Sequence, residues 1–164
     1  MKKRIGIVAK KLSHSLSPII HNSWIKKNKI NAEYISFEIK ENELELFYNE
    51  FKKDKYFIGF NVTVPYKENF FNMCDNVSKN ANLIGSLNLI YKKNNFIYGD
   101  NTDYLGFEKI YKKLIDRHIN KILLIGAGGA ARAILKFLND QKIENIDVFA
   151  RTTNKKKALS KSMK

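Results

Sequence analysis

Ile122-Leu-Leu-Ile-Gly-Ala-Gly-Gly-Ala-Ala131 is the stretch on which the reading of the fold turns. Four consecutive apolar residues predict a short strand. A G-x-G-x-x-A pattern follows without a break, and the apolar spacing predicts a helix over Arg132–Leu138. A second apolar run, Ile146–Phe149, predicts another strand beyond that helix. Glycine at the turn lets the backbone bend sharply and brings N–H groups close to a phosphate, and the helix N-terminus adds positive potential. The competing reading is a tight strand-to-helix turn that binds nothing. A glycine pattern alone would not separate the two, but the strand–turn–helix–strand context favours a dinucleotide. Gly126, Ala127, Gly128, Gly129 and Ala130 are therefore candidate cofactor-binding residues.

The end of the second strand bears on which dinucleotide. A carboxylate there would suit the ribose 2′-hydroxyl of NAD. This chain has Ala150-Arg-Thr-Thr-Asn-Lys155 instead. Arg151 and Lys155 suit a 2′-phosphate, with Thr152 as a further donor, so NADP is the expected cofactor. A solvated basic helix face explains Lys156 and Lys157 equally well, and Arg151 less well.

Toward the N-terminus, strands and helices alternate. Arg4–Ala9, Ala32–Ile39 and Phe57–Val64 predict strands. Ser17-Pro18 predicts an N-cap and a first helical proline, with a helix to about Lys27. Leu44, Phe47, Tyr48 and Phe51 share helical spacing within Glu41–Lys53. Lys67–Leu83 is expected to be helical in parts. Ser86–Tyr91 and Phe96–Tyr98 flank a turn at Asn94-Asn95, and Thr102-Asp103 is expected to cap a helix reaching about Arg117. The alternation predicts an α/β protein. An N-terminal α/β substrate-binding domain with a mostly parallel sheet, residues 1–118, would be followed by the start of a Rossmann-type NADP-binding domain, residues 119–164.

Composition narrows the function classes. The chain has 164 residues and a formal charge of +14. Only four of its 30 basic residues are arginine, the residue favoured for phosphate forks and base readout. The lysines are scattered, so nucleic-acid binding is a minority reading. The single cysteine, Cys74, excludes an internal disulfide and fits a small core residue in a reducing compartment. No apolar run approaches membrane-spanning length, and Ile5–Ala9 is too short for a signal peptide core. The expectation is a soluble cytoplasmic protein without a metal centre.

Several polar stretches fall at predicted strand ends, where α/β sheets bind ligands. Ser13-His-Ser-Leu-Ser-Pro18 follows the first strand. Asn61 and Thr63 share one face of the third by its period of two, and Lys67 follows Pro65. Asn88 and Asn101-Thr-Asp103 come later. Each alone is explained by capping or turn chemistry.

Taken together, Ser13–Pro18 with His21-Asn22, Asn61-Val-Thr-Val-Pro-Tyr-Lys67, Ile84-Gly-Ser-Leu-Asn88, Gly99-Asp-Asn-Thr-Asp103 and Gly126-Ala-Gly-Gly-Ala130 resemble shikimate dehydrogenase, in order and along the whole chain. The resemblance implies NADP-dependent, reversible reduction of 3-dehydroshikimate to shikimate, on the route to chorismate and the aromatic amino acids. By position it implies that Ser15 and Ser17 hold the substrate carboxylate. Thr63, Asn88 and Asp103 would bind its hydroxyls, with Asn61 beside them. Lys67 and Asp103 would be catalytic, the lysine stabilising or protonating the oxygen on which charge develops. Shikimate or 3-dehydroshikimate is the implied partner, and a homodimer stays open.

The sequence departs from the family pattern at Ala9-Lys-Lys-Leu12, where the family has Gly-Asn-Pro. It departs again at Leu89, in place of a threonine, and at Ala150, in place of an asparagine. The family also continues beyond the helix in which Lys164 falls, so a C-terminally truncated chain is expected. The alternative function is a non-catalytic remnant that binds shikimate-like acids without turning them over. The segment after Asn120 is expected to be marginally stable by itself.

Overall fold

A computed structural model describes residues 1–114, 119 and 121–150. Two compact units emerge: Met1–Val77 with Asn88–Gly99, and Ser78–Leu87 with Asp100 onward.

Unit 1 is built on a six-stranded sheet. Strands β1 (Lys3–Ala9), β2 (Ala32–Glu38) and β3 (Phe57–Val62) come first, joined by helices α1 (Ser17–Lys27) and α2 (Leu44–Lys53). The chain then adds β4 (Asn76–Val77), β5 (Leu89–Lys93) and β6 (Phe96–Asp100), giving the order β2-β1-β3-β5-β6-β4. β1 runs parallel to both β2 and β3, and β4 is parallel to β6, while β5 is antiparallel to β3. Two helical crossovers are what parallel pairing demands, and a two-residue turn is enough for the hairpin. Asn94 and Asn95 at that turn have φ of 50° and 65°, the left-handed pair of a type I′ turn.

The α2 spacing buries Leu44, Phe47, Tyr48 and Phe51. Phe51 meets Phe57 and Phe60 edge-to-face, with ring centroids 4.9 Å away in both cases. Phe47 packs on Phe37 at 5.1 Å. Each such side chain contributes about 1.5–3 kcal/mol by burial, so this cluster fixes how α2 lies on the sheet. The half-buried Lys92 ammonium closes the helix's C-terminal end, donating to the carbonyls of Phe51 and Asp54 and lying 4.4 Å from the Phe51 ring centre.

Unit 2 contains α3 (Lys79–Ile84), α4 (Asp103–Leu114), β7 (Ile122–Ile125), α5 (Gly129–Asp140) and β8 (Ile146–Phe149). β7 and β8 form a separate parallel pair. One side of α5 covers that pair through Ala131 and Leu135, packed with Leu124, Ile146 and Val148. Elsewhere α5 buries Phe137 among Tyr104, Phe107 and Tyr111 of α4.

Several element boundaries differ from the sequence expectation. Ser17 is inside α1; Leu16 is the N-cap residue and its own side chain makes no capping bond. β3 stops at Val62, because Thr63 turns toward the Val64–Pro65 cis peptide. The expected partial helix of Lys67–Leu83 is mostly turns, with a three-residue 3-10 stretch and only Lys79–Ile84 as α-helix. β5 begins at Leu89 rather than Ser86, and β6 runs on to Asp100. α5 is longer than expected, reaching from Gly129 to Asp140. Cys74 is half-buried rather than a core residue, and burial together with the Asp75 charge pushes its thiol up to about 11.

Candidate functional site

In unit 1 the candidate residues gather beyond the carboxyl ends of β1 and β3. The serine loop leaves β1 and is held in two places: Leu12 N–H donates to Glu38 at the end of β2, and Ser15 N–H donates to the Leu12 carbonyl. Ser15 Oγ accepts from Ser17 N–H at 3.4 Å, so its hydroxyl occupies the first turn of α1. The Ser17 side chain acts on the Tyr34 phenol, opposing part of the rise that burial gives its pKa.

Asn61 is the penultimate residue of β3. Its Oδ1 accepts from Tyr34 Oη at 2.8 Å, and its Nδ2 donates to the Asn88 carbonyl at 3.3 Å. The same Asn88 carbonyl accepts from Val62 N–H at 2.9 Å, so Asn88 stands directly against the end of β3. Thr63 N–H donates to the Val8 carbonyl, which carries the parallel pairing one residue past the strand.

Lys67 sits on the turn that follows. Its neighbour Tyr66 is almost wholly buried, and Tyr66 Oη donates to the Ile39 carbonyl at 2.8 Å. Phe70, three residues on, is wholly buried. Two aromatic anchors thus pin a segment that has no regular structure, and the half-buried lysine is held between them. The apolar strand delivers an amine because the turn, not the strand, sets where that amine goes.

Unit 2 supplies the remaining candidates. Asp103 opens α4, and its N–H donates to Asn101 Oδ1 at 3.0 Å. The first helical carbonyl is that of Thr102, which accepts from Gly106 N–H. Asn101 is buried, donates from Nδ2 to the Ser86 carbonyl at 2.8 Å, and takes its own N–H to Asp100 Oδ1. Asn101 is therefore the residue that organises the Asp103 turn. The sequence marks Asn101 only as part of a motif, without its buried bond to Ser86, and Tyr34 does not stand out at all, since its partners are far away along the chain.

The glycine turn has the expected form. Gly126 has φ of +115°, which side-chain-bearing residues avoid, and its N–H donates to the Phe149 carbonyl. Gly128 is the extended N-cap residue of α5. A Cβ at Gly126 or Gly128 would meet no atom within 4 Å, so the turn opens onto space in front of the first amides of the helix. Ala127 and Ala131 are buried, which ties the turn to β7 while the amides of Gly129 and Ala130 remain at the helix start. This cradle fits a pyrophosphate. Arg151, Thr152 and Lys155 lie outside the described residues. Among the described residues no group of His, Cys, Asp and Glu has the makings of a metal site, and no helix is long and apolar enough to cross a membrane.

Comparison with known proteins gives the same direction to both units. The family described as "Shikimate dehydrogenase substrate binding domain" matches residues 7–90, and "Shikimate / quinate 5-dehydrogenase" matches residues 108–164. A shikimate dehydrogenase (NADP(+)) of Clostridium perfringens strain SM101 is 42% identical over 154 residues, covering 93% of this chain and 56% of the relative. The crystal structure of shikimate dehydrogenase from Aquifex aeolicus superposes with a TM-score of 0.87 at 37% identity, covering 98% of this chain and 60% of that one. The Thermus thermophilus enzyme, solved in complex with NADP(H) and shikimate, gives 0.84 at 29% identity over 98% of this chain and 60% of its own. The chain thus spans a little over half the length of the relatives it matches. Over that span, the ordered strand-end motifs, the glycine turn and the matched residues agree, and the chain belongs to the shikimate dehydrogenase family.

Proposed function

We propose that this chain carries the substrate-binding part and the first portion of the cofactor-binding part of an NADP-dependent shikimate dehydrogenase. The observation that supports the reading is the hydrogen-bonded run from Tyr34 through Asn61 to Asn88 at the carboxyl end of β3, with Thr63 and Lys67 on the turn that follows. Division of labour along the sequence follows: residues 1–118 serve substrate and residues 119–164 serve cofactor.

In this reading the hydroxyls of Ser15 and Ser17 hold the shikimate carboxylate. Asn61, Thr63 and Asn88 take ring hydroxyls, and the family motif gives Asp103 a role toward a substrate hydroxyl as well. The backbone amides at Gly126–Ala130, with Arg151, Thr152 and Lys155, would hold NADP, which would supply the hydride chemistry of the reaction in either direction. Lys67 offers an ammonium to the oxygen of the reacting carbon. In reduction that oxygen gains an electron pair as the carbon receives hydride, and the ammonium stabilises or protonates it. In oxidation the same amine accepts the hydroxyl proton.

The test is NADPH formation from shikimate and NADP, followed at 340 nm, with NAD as a parallel cofactor. The expected outcome is turnover with NADP that falls by about 10²–10⁴ in Lys67→Ala. Shikimate bound without any turnover would reduce the chain to a substrate-binding module; turnover that survives Lys67→Ala would remove the lysine from the chemistry.

A further inference from the structure

Tyr34 joins three of the residues assigned above to substrate, although it stands in the middle of β2 and no motif includes it. It is 5% exposed. Asn22 on α1 fixes its backbone from both sides, donating from Nδ2 to the Tyr34 carbonyl and accepting the Tyr34 N–H on Oδ1, each at 2.9 Å. His21 stacks on its ring, with centroids 4.2 Å apart and planes 3° from parallel. The phenol oxygen is therefore placed by two residues of a neighbouring helix, His21 and Asn22, and by its own strand.

The direction of each hydrogen bond follows from what the partners are able to do. The Asn88 carbonyl only accepts, so the Asn61 atom 3.3 Å from it is the amide nitrogen. Asn61 Oδ1 then faces Tyr34 and only accepts, so the phenol donates its single proton there, at 2.8 Å. The phenol oxygen keeps its lone pairs, on which the Ser17 side chain acts. The chain runs Tyr34 O–H to Asn61 Oδ1, and Asn61 N–H to the Asn88 carbonyl. Linked donors of this kind polarise and strengthen one another. Burial pushes the phenol up to about 12, so it stays a neutral donor across the range in which the protein is handled.

We propose that Tyr34 is a positioning residue: held against α1 by Asn22 and His21, its hydroxyl locks the Asn61 amide with one N–H left over for an oxygen of the substrate. The proposal rests on the substrate-holding role given above to Asn61 and Asn88. Without the phenol proton the Asn61 amide loses a contact that opposes its flipping.

Tyr34→Phe keeps the ring on His21 and removes only the hydroxyl. Two readouts decide. The first is the side-chain NH2 signal of Asn61 in ¹⁵N spectra of the free 1–164 chain, identified by its absence in Asn61→Ala. Tyr34→Phe is expected to shift that signal and to speed its exchange with water at least about fivefold, and Ser17→Ala to move it less. The second is shikimate affinity by calorimetry. Tyr34→Phe is expected to weaken it about tenfold, and the Tyr34→Phe/Asn61→Ala double variant to be no weaker than Asn61→Ala alone. An unmoved Asn61 signal, or losses that simply add, would overturn the proposal and leave Tyr34 as packing. If the unaltered chain binds no shikimate, the substrate reading falls, while the amide signal still decides whether Tyr34 holds Asn61.

Discussion

Ser86 is fully buried, and its Oγ finds no hydrogen-bond partner among the described residues. Its carbonyl is used by Asn101, so the backbone is satisfied and the hydroxyl alone is stranded. An unmet buried hydroxyl costs about 1–3 kcal/mol. Ser86→Ala is therefore expected to raise stability by about 1 kcal/mol in urea unfolding; a loss of stability would mean that the hydroxyl is bonded in solution. His21 gives a pH dependence. Burial lowers its pKa below the ordinary 6.5, so the unfolded chain binds a proton that the folded chain refuses. Stability is then complete above pH 6.5 and declines as pH falls from there toward the lowered folded value. The melting temperature is expected to drop between pH 7 and pH 5, and His21→Phe, which keeps a ring against Tyr34, to flatten that slope. An identical slope in the variant would assign it to other groups.

At the scale of elements, close approach explains what side-chain patterns do not. Gly6 lies in β1 between two parallel neighbours, and a Cβ there would meet the Ile35 carbonyl at 2.4 Å and the Phe37 ring at 2.6 Å. A carbonyl fixed in a sheet cannot retreat, so Gly6→Ala is expected to cost about 1–3 kcal/mol or more. Gly106 in α4 has nothing within 4 Å of the same position, so Gly106→Ala is expected to stabilise by about 0.5–1 kcal/mol through helix propensity. Equal effects at the two sites would show that backbone entropy, not space, governs both. Legibility follows the same physics. α2 was readable because its burial follows one period, β7 and β8 because each is a short apolar run beside the glycine turn, and the Asn94-Asn95 turn because its backbone requires particular residues. The stretch from Thr63 to Val77 was not, since Tyr66 and Phe70 anchor it from turns and leave no repeat in the pattern. Ser17 looked like a cap because proline usually stands at the first helical position; here proline comes one residue later. In the site, strand-end position made Ser15, Asn61 and Thr63 visible. Tyr34 was hidden because it reaches Asn61 across 27 positions of sequence.

For the whole molecule, the two units differ in how their strands are protected. In unit 1, β1 and β3 each pair on both sides, and the α2 aromatics cover one face. In unit 2, β7 and β8 pair only with each other. The register places Leu123, Ile125 and Phe149 together on the face away from α5, and they are 63%, 75% and 63% exposed. Two strands with one covered face are near the limit of independent stability. The firm part of unit 2 is instead α5, whose Ala133, Leu135, Phe137 and Leu138 are buried and whose Phe137 ring meets three aromatic rings of α4. Local opening draws on the least buried elements first. The amides of Ile122–Ile125 and Ile146–Phe149 are accordingly expected to exchange about a hundredfold faster than those of β1 and β3 in native-state hydrogen exchange. Phe137 and Leu138 should stay closer to the slow group. Leu123→Thr supplies the complementary measurement: on an exposed face it should change stability by less than about 0.5 kcal/mol. Uniformly high protection across 121–149, or a cost above about 2 kcal/mol for Leu123→Thr, would mean that the outer face is covered in solution and that β7 and β8 are as firmly held as the sheet of unit 1.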